Sequence, residues 1–431
     1  MKPCSTPSAM RRRGFVGTLL RAGAGAAALG QPRLWAAAGK KVTPADAFDP
    51  VIEAFMAERK VPGGALAVVK NGRIVYARGY GWADRERKIP ARPDSLFRIA
   101  SISKPFTAVA VLRLVEQKRL RLEAKALELV TLPPVLEAGQ TPEPRLRNIT
   151  VAQLLQHTAG WDREKSFDPM FRPVEIARKV GVPPPAGPEA VVRYMLGRPL
   201  DFDPGARYAY SNFGYCLLGR IIEKMTGQPY EQFVRETVLA RIGIRRMRIG
   251  ASLDEPALPH SKGRRADGEV RYYTRDNEQA DSVFPGPTKV PLPYGGFHLE
   301  AMDAHGGWIA SALDLARFAA ALDNPAHSPL LRPETFKLLY APPQPPASRL
   351  PDGSLEDHYY ACGWMVRPIA GQGGKANYWH SGSLPGTATL LVRRWDGLSW
   401  AVLFNQRSED KKLPDSAIDP ALHQAADQWV D

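Results

Sequence analysis

Cysteine is scarce in this chain of 431 residues, and long apolar runs are absent. Three cysteines cannot form the dense disulfide framework that holds small secreted domains together. After the first segment, no stretch reaches the run of about 18 apolar residues that a membrane-spanning helix needs. No Cys/His spacing indicates a metal site, and no repeat has the period of a solenoid or propeller. The composition, 44% hydrophobic and 24% charged, excludes a disordered, collagenous or coiled-coil chain.

Acidic residues are missing from residues 1–38, and the six cations there account for the difference between a formal charge of +14 for the whole chain and +8 for the rest. That remaining charge is spread out and does not predict nucleic-acid binding. Arg12 and Arg13, followed by a weakly apolar stretch and by Ala36–Ala38, resemble a twin-arginine (Tat) export signal. We predict a signal over residues 1–38 and a periplasmic or secreted mature domain over residues 39–431. A disordered basic tail is the alternative.

Strand patterns lie near both ends of the mature chain, and helical patterns lie between them. Asn71 and Gly72, between two apolar runs, predict a β-hairpin. This order predicts an α+β fold: a sandwich lobe with an antiparallel sheet built from both chain ends, about residues 44–100 and 355–431, and an inserted all-α lobe, about residues 101–354. A cleft between two such lobes is the default place for an active site.

The two cysteines outside the predicted signal, Cys216 and Cys362, fall in different predicted lobes. Free cysteine is among the most buried residue types. We therefore expect two buried thiols and not one disulfide.

The first motif that carries chemistry is Ser101 followed three residues later by Lys104, where a loop passes into the predicted helix Ser101–Leu120. This spacing puts Lys104 one turn from Ser101 on the same helix face. A lysine in the first turn opposes the helix dipole. Its presence is understandable if the amine is partly desolvated, with a lowered pKa, beside a serine that it helps to activate. A serine that merely caps the helix is the alternative.

The second motif is Tyr210-Ser211-Asn212, just before the predicted helix Phe213–Thr226. A tyrosine is a poor base at its ordinary pKa unless nearby cations, such as Lys104, favour the phenolate. A tyrosine at a helix cap with an asparagine in a turn is the alternative.

The third motif is His380-Ser381-Gly382, which opens a predicted strand. A glycine there lets a substrate backbone approach the strand edge closely. The amide of Ser383 is a candidate to join that of Ser101 as an oxyanion hole. A loop histidine before a turn is the alternative.

Together the motifs occur in the order SxxK, Tyr-x-Asn, His-x-Gly. They resemble the serine β-lactamase-like superfamily, in the branch that contains class C β-lactamases, D-alanyl-D-alanine carboxypeptidases and family VIII esterases. The resemblance covers about residues 44–430 and implies the β-lactamase/transpeptidase-like fold, with no metal or other cofactor. The supporting stretches are Phe97–Thr107, Leu154–Gly160, Tyr208–Gly219 and Gly306–Phe318.

This resemblance also implies roles for single residues. Ser101 would be the acylated nucleophile and Lys104 its activating neighbour. Tyr210 would shuttle the proton in acylation and then activate the hydrolytic water. The implied substrate-binding residues are Asn212, which positions Lys104 or the substrate amide, and His380, Gly382 and Ser383 on the strand side. Which of Lys104 and Tyr210 is the formal base stays open, because coupled groups titrate as a unit.

One departure from the family pattern bears on the substrate. Class C β-lactamases have Lys-Thr-Gly at the third motif, where a lysine is a permanent cation, whereas His380 is expected to be largely neutral at pH 7. We predict an exported serine hydrolase that acts through an acyl-enzyme on ester or amide bonds of small molecules or peptides, as an esterase or a D-Ala-D-Ala carboxypeptidase does. The alternatives are a class C-like β-lactamase and a non-hydrolysing binder or sensor of cell-wall fragments or β-lactams.

Several other polar residues are not assigned to the chemistry. We expect His157 to be a structural histidine at a helix end and His305 to pack in the core. Tyr272 and Tyr273 are either a substrate platform or a buried loop anchor. Residues 255–300 show no clear periodicity, and we expect them to roof the cleft and set specificity.

Overall fold

Antiparallel strands from two distant parts of the chain form the central sheet of this computed structural model. The structure describes residues 42–253, 268–286, 288–350 and 352–429, and the predicted signal lies outside them. The strands are β1 (Gly63–Lys70), β2 (Arg73–Asp84), β3 (Ile89–Pro90), β4 (Phe97–Arg98), β5 (Arg248–Ile249), β6 (Gln279–Asp281), β7 (Lys289–Pro291), β8 (Trp308–Ala310), β9 (Tyr359–Tyr360), β10 (Met365–Pro368), β11 (Ala376–Leu384), β12 (Thr387–Arg393) and β13 (Leu398–Phe404).

The helices cover the sheet and fill most of the segment between its two halves. They are α1 (Pro44–Arg59), α2 (Ser103–Glu116), α3 (Ala126–Leu129), α4 (Val151–Leu155), α5 (Pro173–Val180), α6 (Pro188–Met195), α7 (Asn212–Thr226), α8 (Tyr230–Val234), α9 (Ala312–Ala321), α10 (Pro333–Leu339) and α11 (Ile418–Gln428). Within the described residues, none of these helices combines the length and the apolar character needed to span a membrane.

The eight-stranded sheet has the order β3-β2-β1-β13-β12-β11-β10-β9. Strand β1 pairs with β2 on one side and with β13 on the other, so that Gly64 lies opposite both Tyr80 and Phe404. The predicted α+β class, with an antiparallel sheet made from both chain ends, is confirmed. The segment between also contains the short strands β4–β8 in two small sheets, which the sequence analysis missed.

Burial on both faces explains the composition of the inner strands. In β1, Ala65, Ala67 and Val69 face the main core, whereas Leu66 and Val68 face a second core under α1 and α11. A strand covered on both faces has an almost continuous apolar sequence. The sheet is therefore the middle of three layers.

Local sequence signals account for several element boundaries. Helix α1 begins at a capping box, in which Thr43 and Asp46 each bind the backbone N–H of the other. The predicted hairpin at Asn71 and Gly72 is confirmed, with φ of 49° and 75° at these two residues. The strand predicted over Tyr359–Val366 is interrupted, because the chain turns away between β9 and β10.

Candidate active site

Ser101 lies in a 3₁₀ turn, Ala100–Ile102, that leads into α2. No side chain caps either helix start, so the alternative of a capping serine is not observed. Ala100 has a left-handed φ of 47°, a conformation that costs an ordinary residue about 1–2 kcal/mol. The side chain of Thr389 in β12 donates a hydrogen bond to the carbonyl of Ile99, with a distance of 3.0 Å. The sheet therefore helps to hold the strained turn that carries Ser101.

Lys104 is fully buried, and its amine has three close oxygen neighbours. Its Nζ lies 3.0 Å from Ser101 Oγ, 2.8 Å from Asn212 Oδ1 and 2.9 Å from the carbonyl oxygen of His305. Burial lowers the pKa of Lys104 well below its ordinary value, and the carboxylate of Asp168 opposes this shift only in part. The neutral amine is therefore favoured. His305 is buried, as expected, and contributes to the site through its backbone.

Asn212 is the first residue of α7. The end of its side-chain amide that points away from Lys104 binds a carboxylate. Its Nδ2 donates to Asp168 Oδ2 over 2.6 Å. Because this bond identifies the nitrogen end of the amide, the oxygen end faces Lys104. Asp168 also caps the following 3₁₀ turn by accepting from the amide of Met170. The sequence analysis did not select Asp168. An aspartate before a proline signals only a turn.

The ring of Tyr210 lies close to two basic side chains and next to the predicted nucleophile. Lys104 Nζ is 4.8 Å from the ring centroid, and the guanidinium carbon of Arg163 is 4.6 Å from it. Burial raises the pKa of Tyr210 well above its ordinary value, although a hydrogen bond with Ser101 acts in the opposite direction. Desolvation is the largest of these effects and favours the protonated phenol. The phenol stays protonated.

His157 lies just after α4, as predicted for a helix-end histidine, and also contacts the segment that carries Tyr210. Its carbonyl accepts from the amide of Ala209 over 2.9 Å, and its Nδ1 accepts from the amide of Ser211 over 3.3 Å. Its ring centroid is 4.3 Å from that of Tyr210. Burial lowers the pKa of His157 well below its ordinary value. A neutral imidazole therefore fixes this segment.

His380 lies in the middle of β11 and not at its start. Its Nδ1 is 2.7 Å from the carbonyl oxygen of Ser381 and therefore donates to it, which leaves Nε2 to accept from the hydroxyl of Tyr360 at 2.9 Å. Burial lowers the pKa of His380 to about 3. The strand consequently has a neutral histidine at the third motif.

Gly382 lies against the turn that carries Ser101. A Cβ at this position would be 2.3 Å from the carbonyl oxygen of Ile99 and 2.3 Å from Thr389 Oγ1. The glycine thus permits close packing between β11 and the turn. The approach of a substrate backbone at this position stays a prediction.

Ser383 is exposed, and it pairs with Ala388 of β12. The pairing of β11 with β10 ends at Trp379. Among the described residues, the edge of β11 over residues 380–384 therefore has no strand partner on that side.

Two further predictions concern residues away from Ser101. Cys216 and Cys362 are both free and buried, as expected. Burial raises the pKa of each thiol to about 12, so both are unreactive. Among the described residues, no group of histidine, cysteine, aspartate and glutamate side chains has an arrangement that could hold a metal ion.

Of the two interpretations of Tyr272, the structure supports the buried anchor. Its hydroxyl accepts from the amide of Arg98 over 2.8 Å and donates to Glu269 over 2.9 Å. The guanidinium of Arg98 lies over the Tyr272 ring at 4.3 Å. Residues 254–267 lie outside the described part, so the role of the 255–300 segment as a roof remains a prediction.

Comparisons with known proteins identify the class to which this fold and site belong. The Beta-lactamase family model matches residues 48–423. The chain belongs to that family, as the resemblance predicted, and is a serine hydrolase related to β-lactamases.

Individual relatives point to several activities within this class. Esterase EstB of Burkholderia gladioli is 33% identical over 253 residues, which cover 58% of this chain and 59% of the esterase. Penicillin-binding protein 4* of Bacillus subtilis (strain 168) is 25% identical over 370 residues, 85% of this chain and 73% of that protein. The D-amino acid amidase of Ochrobactrum anthropi SV3 has a TM-score of 0.65 at 20% identity, with 89% of this chain and 98% of that chain covered, and shows the fold alone.

Proposed function

We propose that this chain is an exported serine hydrolase that cleaves ester or amide bonds through an acyl-enzyme on Ser101. The observation that carries this proposal is the environment of the Lys104 amine. The substrate would be a small ester, amide or peptide, and neither a metal nor a nucleic acid is required.

The hydrogen bonds of the Lys104 amine support its role as the base. A neutral amine has two N–H donors and one lone pair. The oxygens of the Asn212 amide and the His305 carbonyl can only accept, so they take the two donors. The lone pair is then left for the third neighbour, the hydroxyl of Ser101. Burial lowers the pKa of Lys104 and so favours this neutral form over the ammonium.

The proposed reaction has two halves. In acylation, Ser101 Oγ transfers its proton to Lys104 Nζ and forms a bond to the substrate carbonyl carbon. The proton then passes through the hydroxyl of Tyr210 to the leaving group as the scissile bond breaks. In deacylation, water attacks the acyl carbon and gives a proton to the same pair of groups, while Ser101 Oγ leaves and is reprotonated.

We further propose that the amides of Ser101 and Ser383 stabilise the oxyanion. One support is the packing of β11, at Gly382, on the turn Ala100–Ile102 that carries Ser101. A second is the edge of β11 beyond Trp379, which lacks a strand partner among the described residues. Two backbone N–H groups aimed at the developing charge are a recurrent device in acyl transfer.

The neutral state of His380 favours an esterase or a peptidase over a β-lactamase. A β-lactam carries a carboxylate, and a lysine at this strand position would pair with it. With a pKa of about 3 for His380, the strand offers no positive side chain there. We therefore expect slow turnover of nitrocefin beside faster hydrolysis of p-nitrophenyl esters.

The test is intact-protein mass spectrometry after brief exposure to a fluorophosphonate probe and to penicillin G. The wild type should gain one adduct with the fluorophosphonate, and Ser101→Ala should gain none. Ser166→Ala, at an exposed serine, is the matched control and should be labelled like the wild type. An adduct that persists in Ser101→Ala would contradict the assignment. Rapid nitrocefin loss in the wild type would favour the β-lactamase alternative, and no adduct or turnover would favour a binder.

Export is the remaining part of the proposal, and it rests on the sequence of residues 1–38. Replacing Arg12 and Arg13 together by lysine should retain the hydrolase in the cytoplasmic fraction, whereas the unaltered chain should be found in the periplasm or medium. Unchanged fractionation would contradict twin-arginine export.

A further inference from the structure

Arg163 is a cation beside the candidate active site for which the proposed reaction has no use. Its guanidinium carbon lies 4.6 Å from the ring centroid of Tyr210, and Lys104 Nζ lies 4.8 Å from the same centroid. Its charge influences the pKa values of Lys104, Tyr210 and His157. These contacts place a permanent positive charge at the group that is hydrogen-bonded to Ser101.

The hydrogen bonds of Arg163 leave it able to bind another group. Its Nε donates to the carboxylate of its neighbour Glu164 over 3.0 Å. The two terminal nitrogens have no hydrogen-bond partner among the described residues, and 39% of the side chain is exposed. Arg207, a nearby arginine, differs because it is bonded to Asp162 at 2.7 Å. Among the described residues, Arg163 is therefore an arginine next to Tyr210 whose terminal donors are free.

Two other basic side chains at the site, Lys104 and His380, are not available to an anionic substrate. Lys104 is fully buried, and acceptors from the protein surround its amine. His380 is neutral and bonded on both nitrogens. A guanidinium with two free terminal nitrogens suits a carboxylate, which it can bind through two parallel hydrogen bonds.

We propose that Arg163 is a specificity-determining residue that binds an anionic group, a carboxylate in the simplest case, on the substrate of Ser101. This inference rests on the proposed hydrolase function and adds the substrate class to it. The enzyme would prefer acidic esters or amides to neutral ones of the same shape, and the cation would act from the Tyr210 side of the site.

The experiment compares kcat/KM for matched neutral and anionic substrates. One pair places the charge on the acyl group: p-nitrophenyl butyrate and the mono-p-nitrophenyl ester of glutaric acid. The other places it on the leaving group: phenyl acetate with a meta carboxamide or a meta carboxylate. In Arg163→Gln, the ratio of anionic to neutral kcat/KM should fall about three- to tenfold for at least one pair, as expected for a partly exposed ion pair. Arg163→Lys should restore part of the ratio, and 1 M salt should reduce the wild-type ratio.

Arg85→Gln is the matched control. Arg85 also lies on a tyrosine ring, 4.7 Å from that of Tyr273, and is paired with its neighbour Glu86. This variant should leave both ratios unchanged.

Unchanged ratios in Arg163→Gln for both pairs would overturn the inference. If kcat/KM also fell equally for neutral and anionic substrates, Arg163 would be only a support for Tyr210. A failure of the proposed function is separate, because hydrolysis of all four substrates would then survive in Ser101→Ala.

Discussion

The helical side and the strand side of the site differ in where they keep charge. On the helical side, Lys104 is a potential cation that is removed from water and surrounded by oxygen acceptors. On the strand side, His380 is neutral, and Gly382 contributes no side chain at all. In the proposed reaction, residues on the helical side transfer the protons, whereas β11 supplies shape and backbone groups. Each substitution below alters one side of the site, and the measurement shows how activity or stability responds.

The largest effect is expected from Lys104→Met, which removes the proposed base and keeps the length of the side chain. Because general-base catalysis contributes about 10²–10⁴-fold, kcat/KM for a p-nitrophenyl ester should fall about 10³-fold. Circular dichroism should show a retained fold. Lys179→Met, at a lysine paired with Glu137 on the surface, is the control and should keep full activity. A loss of less than tenfold would remove Lys104 from the mechanism.

Next in size is Gly382→Ala on the strand side. The added Cβ would overlap the Ile99 carbonyl and the Thr389 hydroxyl. Strand β11 and the turn Ala100–Ile102 would therefore have to move apart. We expect a loss of about 1–3 kcal/mol in the free energy of unfolding, as for other overpacked sites, together with reduced ester hydrolysis. Gly187→Ala meets no atom within 4 Å and should lose less. Equal stability of the two variants would contradict the close packing of strand and turn.

A smaller effect concerns the neutral state of His380. Burial lowers the pKa of His380 from its ordinary value of 6.5 to about 3 in the folded chain. Between these two pH values, the unfolded chain therefore binds a proton at this histidine that the folded chain does not. The stability contributed by this buried neutral group is complete above pH 6.5 and is lost as the pH falls towards 3. The slope of unfolding free energy against pH should become shallower by about 1.4 kcal/mol per pH unit in His380→Gln. Denaturant titrations between pH 6 and 4 would measure it.

The exposed His327 provides the control for that experiment. His327→Gln should keep the wild-type slope. A wild-type slope in His380→Gln would mean that His380 takes up its proton within the folded chain.

The smallest effect is expected from Asp168→Asn. The Asp168 carboxylate raises the pKa of Lys104, so its neutralisation should move the acidic limb of the pH–kcat/KM profile to lower pH. The change in kcat/KM at pH 7 should stay below about tenfold, because Asn212 keeps an oxygen to which it can donate. Asp203→Asn, at an exposed aspartate paired with Arg145, should leave the limb in place. A shift to higher pH would contradict the electrostatic role.

The parts of the site that lie close together in sequence could be predicted, since helix periodicity places Lys104 one turn from Ser101. Tyr210 and Asn212 could be found because the order of the motifs is informative. Asp168 could not, because it is 44 residues from Asn212 and its contact depends on tertiary folding. The His305 carbonyl was also missed, since a backbone acceptor has no residue signature.

The fold shows the same limits. Apolar runs predicted the inner strands, and the helix over residues 173–180 and the short strands β4–β8 were missed. At the break between β9 and β10, Gly363 has a φ of 78°, and a Cβ there would be 2.9 Å from the carbonyl oxygen of Lys104. Such close approaches are set by neighbours that are remote in sequence. They are therefore invisible to local pattern analysis.

The pairing of β1 with β13 also determines when the molecule can assemble. Gly64 lies opposite Phe404 in the register of these strands, so β1 has to wait for a partner synthesised some 340 residues later. Contacts of such high sequence separation form slowly. The middle of the sheet therefore closes only after β13 has left the ribosome, and a chain truncated before β13 would expose one edge of β1 to aggregation.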